Sequence, residues 1–197
     1  MQKNTYIICG IDPGNNTGVC FMEVDINTNE IVDISAHTLT TMTRYNQQLH
    51  KEVERQLDLD APEKLKMITY LLNAKINEKN PSTFALEGAF YDRRRPMAFG
   101  PLLLTIDSFK KAIRFSNPNK EISVYQPLSV KAVLSQSSGL GKKPRGVESK
   151  VWVYKCVDAT EELISNIDRP LDDLTEHAID AIGIAYTKLV KTRETYE

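Results

Sequence analysis

Three carboxylates in this chain stand alone against apolar surroundings. Asp12 ends the run Ile7-Ile8-Cys9-Gly10-Ile11 and opens the turn Pro13-Gly14-Asn15-Asn16. Glu87 ends Phe84-Ala85-Leu86 and precedes Gly88. Asp180 interrupts a segment of small and apolar residues from Ala178 to Ala185. A buried carboxylate is costly unless it is paired or binds a metal, and gathered acids raise one another's pKa unless cations neutralise them. Oxygen-rich sites suit Mg²⁺ or Mn²⁺. Two such ions about 4 Å apart can clamp the attacking and leaving oxygens of an in-line phosphoryl displacement. His177 lies three residues before Asp180, on the same helical face, and imidazole is a competent metal donor.

Each of these residues also has a plainer explanation. Asp before Pro-Gly commonly just opens a turn. A single histidine on a helix is ordinarily structural. Asp173 and Glu176 sit where a helix-capping acid pair would stand, and the sequence leaves them open as caps or site residues.

Charge is distributed to match phosphate chemistry, although the formal net charge is −1. Arg93, Arg94, Arg95, Lys110, Lys111 and Arg114 face only Asp92 and Asp107 in one segment. Lys131, Lys142, Lys143, Arg145, Lys150 and Lys155 face only Glu148 in another. Residues 158–180 reverse the balance, with eight acids against Arg169. Two basic stretches and a separate acidic one suit a protein that grips phosphates on one surface and holds cations at a site.

The elements that must position these groups follow from periodicity and turn signals. Strands are expected up to Asp12, over residues 19–25 and 31–38, at 83–87 and at 121–125. Residues 40–60 read as an irregular connection with a helical part around 46–57. A helix opens at Ala61-Pro62-Glu63, with Leu65, Ile68, Leu71, Leu72 and Ile76 on one face. Another spans 96–115, with Phe99, Leu103, Ile106 and Phe109 turned inward. A short helix ends at Leu134, a Ser/Gly/Lys-rich loop fills 135–146, one helix covers 147–163, and a last one runs to about Val190. Strands followed by alternating helices and strands predict a mixed α/β sheet covered by helices.

The chain has 197 residues, which suits one domain over 1–197 with a single well-formed core. No stretch reaches the length of a membrane span and no signal-peptide pattern opens it, so a cytoplasmic location is expected. Cys9, Cys20 and Cys156 lack metal-like spacing and read as buried free thiols.

Together, Asp12-Pro13-Gly14…Gly18, Glu87-Gly88-Ala89-Phe90 and His177-Ala178-Ile179-Asp180-Ala181-Ile182-Gly183-Ile184-Ala185 resemble the RuvC Holliday junction resolvases, members of the ribonuclease H-like superfamily. The resemblance covers nearly the whole chain in the right order. The opening motif is shared with actin-like ATPases, and the closing motif is far more specific. The resemblance implies a ribonuclease H-like α/β fold, a mixed five-stranded sheet flanked by helices, forming one RuvC-like nuclease domain that works as a homodimer. It implies a Mg²⁺-dependent endodeoxyribonuclease that resolves four-way DNA by paired phosphodiester cleavage in recombination and repair. Two Mg²⁺ ions per active site, replaceable by Mn²⁺, would be held by Asp12, Glu87, His177 and Asp180, His177 standing at a position that is Asp in some members and His in others.

The family's catalytic Lys falls on Lys150, followed by Val153 and Val157, and its junction-opening Phe on Phe90. Arg93, Arg94, Arg95, Lys142, Lys143 and Arg145 are expected to contact DNA phosphates. The loop at 135–146 and the segment at 40–60 look longer than usual, and Arg93-Arg94-Arg95 is unusually basic. Those departures suit a divergent, phage-encoded member acting in the host cytoplasm. The alternatives are a broader branched-DNA nuclease, a non-catalytic DNA-binding module of the same fold, or an actin-like nucleotide-binding protein. The last would need a second glycine-rich phosphate turn, which the chain lacks.

Overall fold

The computed structural model describes residues 4–40, 63–91, 93 and 96–196. Strands β1 (Thr5–Asp12), β2 (Thr17–Asp25) and β3 (Ile31–Leu39) are followed by helix α1 (Glu63–Lys79) and strand β4 (Thr83–Glu87). A 3-10 turn (Pro96–Ala98) leads into α2 (Phe99–Ser116), β5 (Ile122–Tyr125) and α3 (Pro127–Ser137). Helices α4 (Ser149–Asp158) and α5 (Glu161–Ile164), a 3-10 turn (Leu171–Asp173) and α6 (Glu176–Tyr196) complete the chain.

The five strands form one sheet in the order β3-β2-β1-β4-β5. The pairs β1–β2 and β2–β3 are antiparallel, whereas β1–β4 and β4–β5 are parallel. Successive side chains on a strand face opposite ways, so each strand feeds two layers. On one face Ile8, Cys20, Met22, Ile34 and Ala85 pack with α3, α4 and α6. On the other, Cys9, Ile11, Val19, Phe21, Phe84 and Leu86 pack with α1 and α2. The edge of β3 is covered by the segment after α5, through Ile34 N–H to the Asn166 carbonyl (2.8 Å) and Asp168 N–H to the Ile34 carbonyl (3.0 Å). At the far end of α6, Arg193 donates to the Glu162 carboxylate at 3.0 Å and to the Asn29 carbonyl, tying the helix to α5 and the β2–β3 turn.

Four expectations about elements are corrected. Residues 147–163 form two helices, because Thr160 takes an extended conformation between Asp158 and Glu161. Phe99 and Leu103 do not form the inward stripe of α2. Leu103 is 45% exposed, and the buried set is Ile106, Phe109, Ala112 and Ile113, since only the later turns of α2 lie over α1 and the sheet. Helix α3 continues past Leu134 to Ser137, and α6 continues past Val190 to Tyr196. The segment at 40–60 lies, after Thr40, outside the described residues. Among the described residues no helix is long and apolar enough to cross a membrane, and Cys9, Cys20 and Cys156 are buried free thiols.

Candidate active site

Alternation along β1 decides where Asp12 points. Ile8 faces the α6 layer and Cys9 and Ile11 the α1–α2 layer, so Gly10 and Asp12 fall on the α6 side. The same parity on β4 puts Ala85 and Glu87 on that side. Because Ile11 pairs with Leu86 in the parallel ladder, Asp12 and Glu87 end neighbouring strands side by side. Adjacent strands run about 5 Å apart. The carboxyl ends of parallel strands are where open α/β sheets gather their ligands.

Helix α6 brings the remaining groups, and two glycines let it come close. A Cβ at Gly18 would lie 1.8 Å from the His177 carbonyl oxygen, and one at Gly10 2.3 Å from that of Ala181. The helix backbone therefore rests directly on β1 and β2. The Thr175 hydroxyl caps its start, accepting from the Ala178 N–H at 3.3 Å. Asp173 belongs to the preceding 3-10 turn, so the helix cap is Thr175 rather than the Asp173/Glu176 pair. His177 Nδ1 and Asp12 Oδ2 are 3.0 Å apart, and Asp180 follows one turn later.

The acids feel one another. Burial, followed by repulsion from Asp12 and Asp180, pushes Glu87 up to about 8, with Lys131 acting in the opposite direction. Burial and then Asp12 push Asp180 up to about 7, opposed by Lys150, Lys131 and His177. The hydrogen bond to Asp12 raises His177 above the ordinary imidazole range despite its burial. Lys150, on the first turn of α4, ion-pairs with Glu176 and holds that carboxylate low. Glu176 Oε1 in turn lies 3.6 Å from His177 Nε2. A continuous line of charge thus runs from Asp12 through His177 and Glu176 to Lys150.

Among the described residues, no three His, Cys, Asp or Glu side chains close around a point suited to a metal ion. The donor chemistry does fit a hard divalent cation, because three carboxylates share one sheltered face. Among the described residues no hydrogen bond or ion pair reaches Glu87 or Asp180. A cation there would offset both the burial and the repulsion.

The structure thus brings Asp12, Glu87, His177, Asp180 and Lys150 to one end of the sheet. Phe90 lies three residues past Glu87 and is 49% exposed. Arg93, Lys142, Lys143 and Arg145 are exposed in loops, while Arg94 and Arg95 lie outside the described residues. One contributor escaped the sequence reading and another was left open by it. Lys131 is the cation that acts on both Glu87 and Asp180, and no local pattern separates it from the other lysines of its basic segment. Glu176 bridges Lys150 and His177, whereas its sequence position suggested a cap as readily.

No protein-family model matches the chain, and neither does any curated protein sequence. Solved structures do match. Two structures of RuvC from Thermus thermophilus, the second in complex with a Holliday junction substrate, align with TM-scores of 0.61 and 0.62 at 17% and 16% identity. Each alignment covers 96% of this chain and 96% of the other. The yeast mitochondrial Holliday junction resolvase aligns at a TM-score of 0.52 and 14% identity, over 96% of this chain and 83% of its own. The chain therefore has the ribonuclease H-like α/β fold of the RuvC resolvase structures, a mixed five-stranded sheet flanked by helices.

Proposed function

We propose that the protein is a Mg²⁺-dependent endonuclease of branched DNA that resolves Holliday junctions by paired phosphodiester cleavage. The observation that carries this reading is the meeting of Asp12, Glu87 and Asp180, from three separate elements, on the α6 side at the carboxyl ends of β1 and β4. The fold shared with the two RuvC structures, one of them bound to a Holliday junction, supports the choice of DNA substrate.

Asp12, Glu87, His177 and Asp180 are the residues that would hold Mg²⁺ or Mn²⁺, with room for two ions inferred from the number of donors. Bound there, the metal would supply Lewis acidity at the scissile phosphate and an activated water. His177 keeps the Asp12 carboxylate oriented through the 3.0 Å contact. Burial and the neighbouring acids push Glu87 up to about 8, so holding a cation there would release protons from the site. Lys150, tethered by Glu176 and acting electrostatically on Asp180, would offer a positive charge to the phosphate as it gains charge in the transition state. Phe90, Arg93, Arg94, Arg95, Lys142, Lys143 and Arg145 bind the DNA around the cut.

Paired cuts need two sites, and a homodimer with twofold symmetry supplies them. The exposed apolar Met97, in the 3-10 turn, and Leu103 and Leu104, early in α2, offer a surface for that contact. The test is cleavage of four-way, three-way and linear DNA in Mg²⁺ under single-turnover conditions. Symmetric nicks across the crossover of the four-way junction, with linear duplex left intact, are expected. Equal cutting of all three substrates would replace junction resolution by the broader branched-DNA reading, and no cutting would leave a binding module.

A further inference from the structure

The long loop after α3 builds a feature that the cleavage reading does not use. Against α3 and the start of α4 it closes a groove of about 410 Å³. Leu128, Ala132 and Trp152 provide carbon surface, and Lys131, Lys142 and Lys143 supply the charge at its rim. No acid lines it. Leu128 is 80% exposed, an unusual position for a leucine without a partner. Trp152, almost fully buried, is pinned by its indole N–H donating to the Ser135 hydroxyl at 2.9 Å. Gly139 and Gly141 hold the loop with φ near +70°, which a side chain would strain. Lys143 donates to the Val147 carbonyl, closing the loop on itself.

The groove adjoins the acids, because Glu87 pairs with Tyr125 across the β4–β5 ladder and α3, which lines the groove, begins two residues later at Pro127. Lys131 lines it and also acts on Glu87 and Asp180, so one side chain is common to the groove and the candidate active site. Carbon surface beneath and cations above suit one kind of occupant: a flat apolar ring carrying flanking phosphates. Stacked bases need no hydrogen-bond readout, and lysines take phosphates as point charges. An apolar peptide segment would gain nothing from three lysines.

We propose that this groove receives the base of one unpaired nucleotide of the DNA substrate, next to the scissile phosphate, with its flanking phosphates on Lys131, Lys142 and Lys143. The proposal rests on the branched-DNA reading and extends it. The full chain would be mixed in Ca²⁺ with four-way junctions carrying 5-iodo-deoxyuridine at successive positions around the crossover, then irradiated. One position beside the crossover should cross-link to a peptide containing Leu128, Ala132 or Trp152. Ala132→Phe, which fills the groove from an exposed helix position, should abolish that cross-link and weaken junction affinity about tenfold, within the range of one lost stacking contact. Lys142→Ala should lower the salt slope of binding by about 1. Melting temperatures of both variants equal to that of the unaltered chain show that the fold is kept.

Cross-links absent at every position, or unchanged in Ala132→Phe, overturn the proposal while junction binding stands. A changed solution mass in Ala132→Phe, with DNA binding intact, makes the groove a contact between copies and also overturns it. Failure of the unaltered chain to prefer junction over linear duplex overturns the branched-DNA reading itself, and the groove proposal with it.

Discussion

Glu87 and Asp180 are placed where their ionisation works against the fold. Glu87 is pushed from 4.5 to about 8 and Asp180 from 3.8 to about 7, burial being the larger cause in each. Over that range the folded chain holds more protons than the unfolded one, so stability falls as pH rises. His177 acts in the same direction, because its raised pKa gives a stabilisation that is complete below 6.5 and lost as pH climbs past the folded value. The ion-free protein should therefore melt progressively lower from pH 5 to about 8. Glu87→Gln should remove much of that decline and raise Tm at the upper end by about 2–4 °C for each ~1 kcal/mol relieved. Added Mg²⁺ should flatten the same curve in the unaltered chain and not in Asp12→Asn. Melting curves across pH, with and without Mg²⁺, check all three, and a Tm that rises toward pH 8 in the ion-free protein would contradict the clustering of these acids.

At the scale of elements, two glycines decide whether the site exists. Gly18→Ala and Gly10→Ala each put a methyl into the backbone of α6, which cannot move aside without lifting His177 and Asp180 away from Asp12. Each should cost at least about 1–3 kcal/mol and reduce cleavage far more than binding. Gly183→Ala meets side chains rather than backbone, Leu134 Cδ1 at 2.7 Å and Val130 Cγ1 at 3.5 Å, and should be milder than the other two. Denaturant melts and single-turnover rates on the three variants separate these outcomes. The strands and their carboxylate ends were legible, because apolar runs ending in one acid carry their own boundary. Strand parity then put Asp12 and Glu87 on one face once the pairing was known. What stayed illegible depended on how far elements overlap. The periodic stripe of α2 includes Leu103, yet those early turns overhang the core and leave it exposed. The break at Thr160 lies in its extended backbone, which helical periodicity does not encode. Thr175 as the cap had a visible signal in its residue type, and the acid pair nearby drew the reading away from it.

For the whole molecule, the balance of charge matters more than its sum. A chain of net charge −1 would bind DNA weakly as a uniform body. Lys131 and Lys150 act on the acids from helices and Arg93, Lys142, Lys143 and Arg145 stand exposed in loops, so binding should be local and strongly salt-dependent. Log affinity for a junction should fall with log salt at about −0.9 per phosphate contacted, and Lys143→Ala should reduce that slope by about 1. Lys150→Ala should spare affinity and lower the single-turnover rate, since its charge is tied to Glu176 beside His177 and Asp180. A homodimer is expected in solution or on the junction. A monomeric mass in both states would remove the two-site account of paired cutting.

The most direct test of the central claim is the rate of four-way junction cleavage against Mg²⁺ concentration, with saturating protein, for the unaltered chain and for Asp12→Asn, Glu87→Gln and Asp180→Asn. The account predicts cleavage that requires Mg²⁺, and a loss of about a hundredfold or more in each variant, while junction binding in Ca²⁺ is retained. Cleavage without a divalent ion, or at an unchanged rate in any one of the three variants, would contradict a shared cation site built from these carboxylates.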